Sequence, residues 1–298
     1  MLKTPNLFIV GAPKCGTTSL HYYLNQHPDI FLCKPKEPNY YNTDLIRTNR
    51  IKREDYFALF DNDNAKYIGE ATPLYLMSKD APINIKKDSP NAKIIIAIRK
   101  PSDLLFSAYY QNKYNLIEEA SSFEEAINDE EKRKKTLVKT KTGEPIDRLI
   151  YSRFVNFTTQ ISRYIETFGK ENVHVIIFDD LKRNTEVEVR KVLDFLGIDN
   201  KAEIDFSVQN VSKTNKSELI AKHFHSPPSF LRKLVVLVVP TSVTNKIYRY
   251  LKKANTDTKQ KNKPRISPET EKVLIEKYKP EVENIEKLLD VNLSNWKS

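Results

Sequence analysis

The chain has 298 residues, with 49 Lys and Arg against 39 Asp and Glu, a formal net charge of +10. That length can bury a large core, as one elaborated domain or a domain with an appendage. The charge suits an anionic nucleotide, an acidic glycan or a membrane surface, or simply a solvated Lys-rich exterior. Cys15 and Cys33 offer neither a zinc spacing nor a disulfide framework, and no RNA-binding, zinc-finger or helix-turn-helix signature argues for nucleic acid. With no apolar run approaching a membrane span and no signal peptide ahead of the first strand, the sequence predicts a cytoplasmic protein.

The first element is the apolar run Leu7, Phe8, Ile9, Val10, which reads as a strand buried on both faces of a parallel sheet. Gly11 and Gly16, two of only six glycines, bracket the loop that follows. Glycine there permits unusual backbone angles and close approach of a ligand. Thr17, Thr18 and Ser19 then open a helix whose free N–H groups and dipole favour an anion. The stretch is a phosphate cradle, but not a Walker A loop. That motif places lysine just after its second glycine, where this chain has Thr17, and Lys14 sits inside the loop instead. Cys15 reads either as a reactive thiol or as small loop filler.

GAPKCGTTSL resembles the 5′-phosphosulfate-binding loop of sulfotransferases that use 3′-phosphoadenosine 5′-phosphosulfate. The resemblance implies the sulfotransferase fold: an α/β domain related to P-loop kinases, with a mostly parallel central sheet flanked by helices. A helical C-terminal extension is expected to follow. It also implies that backbone and hydroxyl groups of Lys14, Cys15, Gly16, Thr17, Thr18 and Ser19 hold the phosphosulfate. Lys14 would further stabilise charge on the leaving nucleotide, and no metal is required.

Next comes HPDIFLCKPKEPNYYN, in which His27 and Pro28 end the helix and Lys34, Lys36 and Glu37 sit in a proline-punctuated loop. It resembles the KE-x-x-FF segment of heparan-type and other carbohydrate sulfotransferases, in which the glutamate is the catalytic base. Glu37 matches that position. A helix is expected over 51–60 and a short strand over 66–69, ending in Glu70-Ala71-Thr72-Pro73. A carboxylate at a strand's C-terminal end lies where open α/β sheets bind ligands, so Glu70 is the rival base. Many relatives carry lysine where this chain has Ala71.

KIIIAIR, residues 93–99, reads as a strand, and Pro101 suits the first turn of the next helix. Arg99 and Ser107 resemble the family's 3′-phosphate-binding pair, a bidentate fork joined by a hydroxyl. Residues 120–145 are charged and read as a solvated helix and loop. From Asp147 a helix is expected through Phe168, with Gly169 as its cap. VHVIIF, residues 173–178, is a strand; Asp179 and Asp180 follow it, then a helix over 184–196 capped by Gly197.

Beyond residue 200 the resemblance is looser. Lys213 is the candidate in a loop that closes over the nucleotide. His223 and His225 lack further metal-ligating partners. Residues 230–253 read either as a core helix pair with a basic rim or as a peripheral membrane contact. Ser267 and Pro268 open a last helix, and Trp296 is expected to pack back on the core.

The whole is expected to be a single domain, 1–298, with a core over about 5–222 and a helical part over about 228–298. The expected reaction moves a sulfuryl group from the donor to a hydroxyl or amine of a carbohydrate, lipid or small-molecule acceptor. Two other classes fit parts of the sequence. A P-loop kinase or NTPase would use the loop and Asp179, and a non-catalytic binder of acidic glycan or membrane would use the charge.

Overall fold

The computed structural model describes residues 3–45, 50–61, 64–136, 140, 146–207, 214–215, 256–257 and 265–298. Five strands form a parallel sheet: β1 (Leu7–Gly11), β2 (Ile30–Leu32), β3 (Tyr67–Ala71), β4 (Lys93–Ile98) and β5 (Val173–Ile177), in the order β2-β3-β1-β4-β5. β1 and the last five residues of β4 are fully buried, as their unbroken apolar runs require. The described helices are α1 (Thr17–Leu24), α2 (Arg53–Phe57), α3 (Asp80–Asp88), α4 (Pro101–Tyr114), α5 (Phe123–Asn128), α6 (Glu130–Thr136), α7 (Phe157–Phe168), α8 (Phe178–Arg183), α9 (Thr185–Leu196) and α10 (Pro268–Leu289). A short antiparallel pair joins Thr214–Asn215 to Thr256–Asp257.

The chain moves one way from β1 to β2 and the other way from β3 to β4. With right-handed crossovers, that reversal puts the connecting helices on opposite faces. α1 packs with α9, and α3 packs with α7. Beside β4, the β1 register slips between Ile9 and Gly11. This bulge re-aims the strand end just before the cradle.

Four features depart from the sequence reading. Ile30–Leu32 is an edge strand that the sequence reading left unassigned; three apolar residues between prolines carry too short a period to show it. Helix α3 is likewise unannounced. The helix expected from Asp147 begins only at Phe157, and 3₁₀ turns occupy Ile146–Leu149 and Tyr151–Val155. Finally, the charged run at 130–135 is not wholly solvated. Arg133 is buried and donates twice to Glu118, at 2.8 Å each, and Tyr151 donates to the same carboxylate at 2.9 Å.

The C-terminal helix runs as expected, with Ser267 accepting from Thr270 N–H as its N-cap. It packs on α7 and α4. Trp296 is buried, and its indole N–H donates to Asp179 at 2.7 Å. Lys213, His223, His225 and residues 230–253 lie outside the described residues, apart from the backbone of Thr214 and Asn215 beside Lys213. Among the described residues, no helix is long and apolar enough to cross a membrane.

Removing one partner of a buried ion pair strands the other charge in low dielectric. Arg133→Ala is therefore expected to lower unfolding stability by about 3 kcal/mol, measured by denaturant titration. A loss below about 1 kcal/mol would show that the pair is solvated in solution.

Candidate functional site

The C-terminal ends of β1, β3 and β4 meet at the point where the strand order reverses, the usual ligand crevice of an open parallel sheet. A cavity of about 860 Å³ lies there. It is lined by Lys14, Gly16, Thr17, Thr18, Ser19, Glu37, Arg99 and Ser107, eight residues singled out from the sequence, drawn from three separate stretches.

The cradle forms because two glycines allow it. Gly16 sits at φ 81°, and a Cβ there would meet the Phe178 ring at 3.0 Å and Leu181 at 3.1 Å. At Gly11 a Cβ would fall 2.5 Å from the Leu76 Cβ. The first α-helical bond of α1 runs from Leu20 N–H to Gly16 C=O, so the amides of residues 16–19 precede the ladder, where an anion can take them. Cys15 is placed differently. Its N–H goes to Ala12 C=O, its side chain is fully buried, and burial pushes the thiol up to about 12. It does not line the cavity.

Lys14 donates to Gln111 Oε1 at 2.9 Å. Burial, and then the neighbouring Arg99 charge, lower its pKa from the ordinary lysine value. Arg99 donates to Asp103 at 3.3 Å and to Lys14 C=O at 3.5 Å, and its guanidinium lies 5.0 Å from the centre of the Phe178 ring. Its Nε is buried without a hydrogen-bond partner. Among the described residues, four basic side chains line the cavity, Lys14, Arg99, Arg148 and Lys182, against one carboxylate, Glu37. That balance favours a polyanion.

Glu37 stands at φ 64° with its side chain 41% exposed. Lys36 donates both to Glu37 at 3.1 Å and to Thr17 Oγ1 at 3.3 Å, tying this segment to the cradle. Glu70 is fully buried behind the cavity and is not among its lining residues. Its carboxylate accepts from Tyr56 at 2.6 Å, from Tyr75 at 2.9 Å and from Thr72. Burial raises the Glu70 pKa to about 7, against the opposing pull of those hydroxyls.

Gln111, Phe178 and Lys182 also face the site, and the sequence reading passed over them. Gln111 carried a usable signal, since it lies four residues beyond Ser107 on α4 and shares its face. Among the described residues, no group of three His, Cys, Asp or Glu is arranged to hold a metal ion.

Comparison with known proteins gives one consistent result. Residues 4–254 match the family described as "Sulfotransferase domain". The chain is 32% identical over 137 residues to the membrane-associated sulfotransferase kil1 of Dictyostelium discoideum, covering 44% of this chain and 29% of that protein. It is 23% identical over 250 residues to carbohydrate sulfotransferase 15 of Homo sapiens, covering 65% of this chain and 44% of that protein. The matches thus span less than half of these curated relatives. A crystal structure of a sulfotransferase from Alicyclobacillus acidocaldarius superposes with a TM-score of 0.73 at 25% identity, covering 99% of this chain and all of that one.

Glu70 gives this site a pH signature. Its folded pKa of about 7 lies above the ordinary value of 4.5, so the folded state holds the extra proton between them. The stability so gained is complete below about pH 4.5 and is lost as pH rises through about 7. Glu70→Gln does not titrate. Its stability relative to wild type is expected to improve from pH 5 to pH 8 by about a few kcal/mol, read from paired melts. A pH-independent difference would place the Glu70 pKa near that of a solvated carboxyl.

Proposed function

The chain belongs to the sulfotransferase domain family, and from that premise we propose that it moves a sulfuryl group from 3′-phosphoadenosine 5′-phosphosulfate to a hydroxyl or amine of a carbohydrate or glycolipid. One observation carries this reading. The amides of residues 16–19 and the Arg99–Ser107 pair open onto a single cavity rich in positive charge. They suit a donor with anionic groups at both its 5′ and 3′ positions. The buried, unpartnered Arg99 Nε suits such a group as well.

Bound there, the donor supplies an electrophilic sulfuryl group. The amides of residues 16–19 and the hydroxyls of Thr17, Thr18 and Ser19 hold its 5′ phosphosulfate. Lys14, fixed by Gln111, neutralises charge on the leaving oxygen. Arg99 and Ser107 hold the 3′-phosphate. Glu37, on the open side, accepts the acceptor's proton. Transfer of this kind rests on positioning and charge neutralisation more than on covalent catalysis. Lys213 is the proposed contact from a closing loop. A carbohydrate acceptor is supported by the similarity to carbohydrate sulfotransferase 15. Residues 1–298 are proposed to form one domain.

Two experiments test the reading. By calorimetry, the protein is expected to prefer adenosine 3′,5′-bisphosphate over ATP without Mg²⁺. Arg99→Ala should weaken the bisphosphate by about tenfold or more while changing adenosine 5′-phosphate by less than about twofold. Equal losses would make Arg99 structural, and a preference for Mg²⁺-ATP would favour a kinase. In transfer of label from the phosphosulfate donor to a glucosamine-containing oligosaccharide, which offers both hydroxyls and an amine, Glu37→Gln should lower turnover by about 100-fold or more. Its bisphosphate affinity should stay within about twofold. Unchanged turnover would remove Glu37 as the base.

A further inference from the structure

We infer that Glu70 is a positioning residue: through Tyr75 and Tyr56 it fixes the backbone and ring of Tyr40, and so the segment that presents Glu37 to the cavity. The inference rests on the proposal that Glu37 is the base.

Glu70 Oε1 accepts from both Tyr75 and Tyr56, and Oε2 accepts from Thr72. The Tyr75 hydroxyl therefore directs its proton to Glu70 and turns its lone pairs outward. They accept the backbone N–H groups of Tyr40 at 2.9 Å and Tyr41 at 3.2 Å. A hydroxyl has one proton to give and two pairs to receive with, and all three are used. Tyr56, held by the same carboxylate oxygen, stacks on the Tyr40 ring at 4.2 Å and 11°. One buried oxygen thus grips Tyr40 by its amide and by its ring.

Three residues upstream stands Glu37. Its N–H donates to the carbonyl of Ala71, the residue after Glu70, at 3.2 Å. Asn39 Nδ2 bonds back to the Glu37 carbonyl. Glu37 and Asn39 both take positive φ, 64° and 57°, a conformation non-glycine residues keep only when their surroundings enforce it. The segment is therefore pinned before and after Glu37 to the end of β3. Glu70 itself has both carboxylate oxygens bonded to protein hydroxyls and no exposed surface. That suits an anchor better than a group that must meet an acceptor.

The variants separate the roles. Tyr75→Phe keeps the ring and deletes the bridging hydroxyl. Amide hydrogen exchange on the full chain is expected to speed up about tenfold or more at Tyr40 and Tyr41, with the β4 amides unchanged. Oligosaccharide sulfation should fall about tenfold with affinity for adenosine 3′,5′-bisphosphate unaltered. Glu70→Gln retains an oxygen for the two tyrosines and loses basicity, so exchange at Tyr40 and Tyr41 should rise less than in Tyr75→Phe. Wild-type exchange at Tyr40 and Tyr41 in Tyr75→Phe would overturn the inference. So would abolished turnover in Glu70→Gln alongside an active Tyr75→Phe, which would make Glu70 the base. If instead Glu37→Gln retains full turnover, the base assignment fails, and with it the catalytic purpose of the anchor. The exchange result then still reports whether the anchor holds the segment.

Discussion

The constraint on which the rest depends is the reversal of strand order at β1. With β3 on one side and β4 on the other, the central strand ends where two crossovers leave on opposite faces, and no helix can cover the gap between them. The cradle after β1, Glu70 as the penultimate residue of β3 and Arg99 after β4 mark three strand ends brought to that gap. Their sequence separation is large, but their spacing in the sheet is set by the ladder. Small local choices refine it. The slip in register between Ile9 and Gly11 turns the β1 end, and Gly16 lets α1 begin against Phe178 without a side chain between them.

Around that gap the two sides are built differently. The β4 side is held by secondary structure and ion pairs: Arg99 rests on Phe178, Asp103 pairs with it one helical turn along α4, and Asp179 accepts the Trp296 indole. Lys100 bonds Glu271 on α10 and the carbonyl oxygen of Ser298. The C-terminal segment thereby braces the wall behind Arg99, although it contributes little to the cavity lining. The β3 side instead uses a buried carboxylate and a cluster of tyrosines. Hydroxyl networks in low dielectric fix orientation well when their donors are matched, as the three hydroxyls at Glu70 are.

The legibility of the sequence follows the same division. β1, the cradle and α1 were readable because an apolar run, paired glycines and three hydroxyl residues coincide within 13 positions, 7–19. Arg99 and Ser107 were readable only through their resemblance to the family's 3′-phosphate-binding pair, at a strand-to-helix turn that follows the apolar run 93–98. The edge strand Ile30–Leu32 was not, since three residues define no period. The Arg133–Glu118 pair was hidden for another reason: a run of mixed charges looks identical whether solvated or turned inward, and only the position of α6 against Tyr151 decides. The late start of α7 reflects 3₁₀ turns, which share enough of the helical period to extend an apparent helix backwards. The Glu70 contacts join residues 40, 41, 56, 72 and 75, and no local pattern links them.

Charge gives the last step. Lys14 and Arg99 face the same cavity, and burial first, then the Arg99 charge, lowers the Lys14 pKa. Their internal partners are modest: a neutral amide oxygen for Lys14, and for Arg99 a carboxylate that is 42% exposed. A fold organised only for stability would place a buried carboxylate between them. Here the only carboxylate among the described residues lining the cavity, Glu37, is bonded to Lys36 instead. The two cations are thus under-neutralised where desolvation makes that most unfavourable. An anion bridging the cradle and the Arg99 fork relieves the repulsion and satisfies Arg99 Nε in one step. By the same arrangement, the proposed donor, charged at both ends, is favoured over a ligand charged at one end.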